Sequence, residues 1–96
     1  LAQRLRKQIQ PVFGPVKAFG LALREIRVSR QISQEELAFN SGFDRTYVSM
    51  VERGVRSPTI RSLVQFAEAL QVPASEIVAR MEKVLKGTKP TKKPSG

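Results

Sequence analysis

Apolar residues recur along this chain with the three-to-four-residue spacing of helices that bury one face. Phe19, Leu23 and Ile26 mark one face of a helix from Val16 to about Arg30, with Arg24, Glu25, Arg27 and Arg30 largely elsewhere. Thr59 can cap a later helix, in which Ile60, Leu63, Val64, Phe66, Ala67 and Leu70 are arranged to cover what precedes them. Val72-Pro73 stops that helix, and Ile77, Val78, Met81 and Leu85 define a further one from Ser75 to about Leu85.

Between them, Ser33 to Gly54 (SQEELAFNSGFDRTYVSMVERG) reads as two short helices joined by a tight glycine turn. Ser33 and Glu36 have the spacing of a capping box, and Ile32 and Leu37 flank the cap as a hydrophobic staple. Asp44 can cap the second helix through its carboxylate, with Phe43 and Val48 in the same staple positions. Gly42 stands where the chain wants a positive φ, and Gly54 lies just past the second helix. Leu37, Ala38, Phe43, Val48 and Val51 then face inward, leaving Gln34, Arg45, Thr46, Ser49 and Met50 outside.

The two ends differ from this middle. Leu1, Leu5 and Ile9 form a turn-spaced apolar stripe among Arg, Lys and Gln, a short amphipathic helix that Pro11 and Phe13-Gly14-Pro15 break. Residues 1–16 are therefore an N-terminal extension to a domain at residues 17–86. Residues 87–96 are rich in Gly, Pro and Lys with nothing apolar to bury, and read as a disordered basic tail. A chain of 96 residues suits one small core with such tails.

Charge and chemistry narrow the function. The formal net charge is +9, of which each end supplies three cations without an acid and residues 17–86 the remaining +3. Basic arms beside a basic domain suit a polyanion whose phosphates they can reach. Cysteine and histidine are absent, which removes thiolate and imidazole chemistry, disulfides and the usual structural zinc sites. With no convergent acidic cluster either, neither a general base nor a metal site can be assembled, so no enzyme activity and no cofactor are expected. No apolar run approaches the roughly 20 residues needed to cross a bilayer, and the leading residues lack the apolar core of a signal peptide; a cytoplasmic protein without a membrane partner is expected.

QEELA, then Gly42, then RTYVSMVERG, resembles the DNA-binding helix-turn-helix of the Cro and phage-repressor (xenobiotic-response-element type) family. With SPTIRSLVQFAEALQV the resemblance extends over roughly Phe19 to Val78. It implies an all-α fold, a compact five-helix bundle of the lambda-repressor-like DNA-binding type with its motif at 33–54. In that motif the second helix, here about 45–53, enters the major groove while the first lies across the backbone.

That docking assigns tasks to the outward residues. Arg45 can bond both acceptors of a guanine edge, Thr46 can meet a thymine methyl, and Ser49 and Met50 lie one turn deeper as further base contacts. Gln34, in the first turn of the earlier helix, can reach a phosphate at that helix's positive end. Tyr47 has two readings of equal weight, a hydroxyl on phosphate or a ring packed over the loop, and Arg53, Arg56 and Ser57 stand where family members place phosphate contacts. Asp44 is assigned to the cap in preference to a cytosine amino group. Arg27 and Glu52 match an internal ion pair that family members often have, and are assigned as structural.

The resulting expectation is sequence-specific binding of double-stranded DNA by a transcriptional regulator, a repressor, associated with a prokaryotic or phage nucleoid. A homodimer on a near-palindromic operator follows from the short reach of one domain; spare apolar groups on the fifth helix are the preferred pairing surface, ahead of residues 1–10. The alternative is an antitoxin-type interaction module that holds a protein partner through residues 1–16 and autoregulates by binding DNA. Duplex RNA is disfavoured because its major groove is closed to a helix.

Overall fold

The computed structural model describes residues 14–87, which form five helices and, among those residues, no strand. In chain order they are α1 (Pro15–Ser29), α2 (Gln34–Ser41), α3 (Arg45–Glu52), α4 (Ile60–Leu70) and α5 (Ala74–Gly87). The amphipathic stripe at residues 1–10 and the tail from residue 88 lie outside the described residues. α1 packs along α5 and across α3, α2 lies between α3 and α4, and α4 meets α5.

Eight-residue helices such as α2 and α3 cannot persist alone in water, because nucleation costs more than so few hydrogen bonds return. Their stability comes from the shared core, where Leu23, Ile26, Leu37, Val48, Val51, Phe66, Leu70 and Ile77 are fully enclosed. Each such side chain contributes about 1.5–3 kcal/mol of burial energy. The three longer helices thus supply apolar surface that the two short ones lack.

Local signals fix where the short helices begin and end. Ser33 Oγ accepts from the Glu36 amide at 3.0 Å and the Glu36 carboxylate accepts from the Ser33 amide at 3.2 Å, so the capping box is complete. Gly42 adopts φ 82°, and the amides of Gly42 and Phe43 both donate to the Ala38 carbonyl at 2.9 Å, turning the chain sharply into α3. Thr59 Oγ1 accepts from the Ser62 amide at 3.0 Å and starts α4.

Several expectations change. Pro15 opens α1 instead of belonging to the break, since its fixed φ and missing N–H are harmless in the first turn. Asp44 occupies the N-cap position of α3 with extended backbone, but its carboxylate makes no cap hydrogen bond; the exposed group is left to solvent. On α4, Ile60 and Val64 do not cover the motif: they are 78% and 43% exposed, while Phe66, Ala67 and Leu70 face the core. The fifth helix also has fewer spare apolar groups than its sequence implies, because Ile77 is buried and Met81 packs on the core.

Gly20, in the middle of α1, marks a close approach to the end of α3. A Cβ there would lie 2.3 Å from the Val51 carbonyl oxygen and 2.6 Å from that of Glu52. Only a residue without a side chain lets α1 cross the end of α3 at this distance. Gly54, just beyond α3 with φ 76°, rests against the Lys17 backbone, where a Cβ would approach Cα to 2.8 Å. Two glycines therefore seat the end of α3 on α1.

Candidate nucleic-acid interface

α3 has one face in the core, through Val48 and Val51, and its other face towards solvent. Arg45 and Thr46 are exposed at its leading end, with Ser49 and Met50 half-exposed one turn on. Arg45, Thr46 and Met50 make no side-chain hydrogen bond or ion pair within the described residues. Their polar groups and their apolar surface are available to a ligand.

This ridge separates two shallow concavities. One, of about 600 Å³, lies between α1, α2 and α3 and gathers Arg24, Arg45, Arg53, Gln34 and Ser49 around the Arg27–Glu52 pair. The other, of about 410 Å³, holds Thr46, Met50, Tyr47, Arg56 and Asp44. Base-reading and phosphate-binding candidates therefore occur on both flanks, with Arg53 at one end and Arg56 at the other. Ser57 lines neither concavity; it is exposed in the α3–α4 loop, with only a long 3.4 Å contact from its hydroxyl to the Pro58 carbonyl.

The floor of the first concavity is a part-buried polar network. Arg27 donates from Nε to Glu52 Oε2 at 2.6 Å and from Nη2 to Glu52 Oε1 at 3.0 Å, and from Nη1 to the Ile32 carbonyl at 2.8 Å. Gln34 adds a bond from Nε2 to Glu52 Oε1 at 2.9 Å. The network joins α1, the α1–α2 turn, the start of α2 and the end of α3. Gln34 keeps one amide hydrogen for an outside acceptor. Glu52 is neutralised by Arg27, so Glu35 is the one carboxylate left to oppose the arginines around this concavity.

Tyr47 is tied into the scaffold by both ring and hydroxyl. Its ring lies 4.8 Å from that of Phe43 and 6.1 Å from that of Phe66, and the Arg56 guanidinium sits 5.6 Å above it. Its hydroxyl is 2.7 Å from Ser62 Oγ, which is 3.0 Å from Thr59 Oγ1. In one direction of this chain Thr59 donates to Ser62 and Ser62 to Tyr47, which leaves the phenolic hydrogen free for an external oxygen. Arg53 Nε makes only a long 3.3 Å bond to Ser49 Oγ on the exposed side.

Arg24 was not among the sequence candidates, yet it lines the first concavity beside Arg45 and Arg53. Its signal was its place one helical turn before Arg27, which puts two arginines on the same side of α1. Among the described residues no cluster of acidic side chains could hold a metal ion, and no helix is long and apolar enough to cross a membrane.

Comparison with known proteins agrees with this fold. The helix-turn-helix family model matches residues 23–77. An uncharacterised helix-turn-helix-type transcriptional regulator of Sinorhizobium fredii is 36% identical over 73 residues, which span 76% of this chain and 95% of the relative. Among solved structures, the restriction-modification controller protein C.AhdI from Aeromonas hydrophila superposes with a TM-score of 0.66 at 42% identity, covering 68% of this chain and 98% of that one. The controller protein C.Esp1396I, solved as a tetramer in complex with its natural 35 base-pair operator, gives a TM-score of 0.71 at 30% identity over 77% of this chain and 97% of that one. The turn at Gly42, the exposed ridge of α3 and a family match over more than half of the sequence all lead to one conclusion: the chain belongs to the helix-turn-helix family of transcriptional regulators of the Cro and phage-repressor type.

Proposed function

We propose that this chain is a sequence-specific repressor that binds operator DNA as a homodimer, with α3 in the major groove. The observation that carries the reading is the free outer face of α3, where Arg45, Thr46 and Met50 have no internal partner and arginines stand on both flanks. Arg45 reads a guanine edge, Thr46 and Met50 meet thymine methyls or neighbouring edges, and Ser49 donates or accepts one turn deeper. Arg53 and Arg56 hold phosphates on opposite sides of the groove, and Ser57 serves the same strand as Arg56.

Gln34 offers its remaining amide hydrogen to a phosphate at the positive end of α2, and Tyr47 its phenolic hydrogen. Repression follows most simply, because a protein seated in the groove of a promoter blocks polymerase without further machinery. The related controller protein solved on its operator as a tetramer supports both the DNA ligand and the use of more than one copy. One α3 reads only a few base pairs, and two copies on half-sites about 34 Å apart supply the rest. The antitoxin reading depends on residues 1–16, of which 1–13 lie outside the described residues.

Selection of bound fragments from random duplex DNA tests the proposal. The expected product is a near-palindrome with two short conserved half-sites one helical turn, or a multiple of it, apart. Fragments without a shared sequence would reject specific readout.

A further inference from the structure

We infer that the exposed face of α4 bearing Ile60, Arg61, Val64 and Glu68 is where two copies of this chain pair, with the two α4 helices antiparallel about a two-fold axis near residues 64 and 65. The inference rests on the homodimeric reading above for the identity of the partner, and adds the surface. Its starting point is the misfit on α4: Ile60 and Val64, one turn apart, are 78% and 43% exposed on a helix whose other apolar residues are buried in the core or packed against it. Apolar side chains at such spacing form one patch.

The charges beside that patch complement a second copy of themselves. Arg61 and Glu68 are exposed and have no ion-pair partner among the described residues. With Ile60 and Val64 they fall within an arc of about 100° on the helix surface, and they are about 10 Å apart along its axis. In a two-fold interface residue i meets j and j meets i. An antiparallel crossing between residues 64 and 65 therefore sets Arg61 of each copy against Glu68 of the partner, twice, with the Val64 side chains between. That is an apolar centre with a charged rim.

Other apolar surfaces fit a like copy less well. Phe39 is 86% exposed on α2, but Glu35 and Glu36 share the solvent side of that helix, so two copies would bring acids together. Val28 borders a groove between α1 and α5 that is crossed by the 3.2 Å Arg80–Glu25 ion pair. On α5, Ile77 in the first turn is already buried and Met81 packs on the core.

Sedimentation velocity of the full chain without DNA, over micromolar to submillimolar concentrations, tests the surface. Arg61→Glu and Glu68→Arg should each weaken self-association by about tenfold or more. The double variant R61E/E68R, which rebuilds both pairs with reversed sign, should recover it. The inference is overturned by a wild-type chain that stays monomeric, as it would if a different protein covered this face. Single reversals that dimerise like the wild type, or a double variant as weak as either single one, overturn it equally. The measurement contains no DNA, so its failure is distinct from failure of the reading face: Arg45→Ala should leave self-association unchanged, and loss of sequence preference by the wild type would leave the α4 result standing.

Discussion

Glu52, at the end of α3, accepts three hydrogen bonds, two from Arg27 on α1 and one from Gln34 on α2, with its side chain only 2% exposed. Arg27→Ala would leave that carboxylate buried without its counter-charge, a change that costs about 3–5 kcal/mol when a buried pair is broken. Urea denaturation should show the loss directly. The double substitution Arg27→Met with Glu52→Leu should recover most of it, since a buried pair replaced by apolar groups is often neutral. A single variant as stable as the parent would mean that the network does not hold α3.

Arg45→Ala makes the opposite prediction. The side chain is exposed and makes no hydrogen bond or ion pair among the described residues, so the thermal midpoint should not move. Binding to the selected operator should fall by about 1–3 kcal/mol, and preference at one base pair should relax. Unchanged preference at every position would remove Arg45 from the reading face.

Arg56→Ala should weaken all duplexes alike. Losing one phosphate contact lowers the slope of log K against log salt by about one. Titrations at several salt concentrations, on operator and on unrelated duplex, measure this. A loss confined to the operator would instead make Arg56 a base contact.

Tyr47→Phe separates the two uses of one hydroxyl. Losing the bond to Ser62 should cost about 1 kcal/mol of stability, because Ser62 keeps Thr59 as a partner. If the phenolic hydrogen also meets a phosphate, affinity for every duplex falls as well. A destabilised variant with full affinity would make Tyr47 purely a scaffold residue.

Gly20→Ala adds one carbon where none fits. α1 and the end of α3 must separate, and overpacking of this kind costs about 1–3 kcal/mol. Because the displaced carbonyls belong to α3, the variant should also lose operator affinity beyond what its stability explains, when binding is measured well below its midpoint. A fully active and stable G20A would show that the contact is slack.

Much of this was legible in the chain. The capping box at Ser33 and Glu36, the positive φ at Gly42 and the apolar spacing of Phe19, Leu23 and Ile26 are local or periodic signals, and each appears where its pattern puts it. What escaped depends on neighbours from elsewhere in the sequence. Asp44 has the residue type of a cap, yet an exposed carboxylate can be solvated equally well by water. Ile60 and Val64 have the spacing of a core face, but periodicity cannot say that α4 begins beyond the reach of the core on that side. Gly20 is isolated within an apolar pattern, which marks close approach only once the facing element is known. Gln34 carries the type and position of a phosphate contact, and its bond to Glu52 needed the end of α3 to come within 2.9 Å.

The bareness of Arg45, Thr46 and Met50 bears on how this protein could diverge. Because no internal hydrogen bond or ion pair depends on their side chains, all three can be exchanged for other residues while the folded body stays the same; under the proposed docking of α3, such exchanges alter the operator. Gly20, Arg27 and Glu52 have no such freedom. Under that docking, duplicated copies of the gene drift apart in target while remaining superimposable, with change concentrated on one short ridge and the helices behind it held constant.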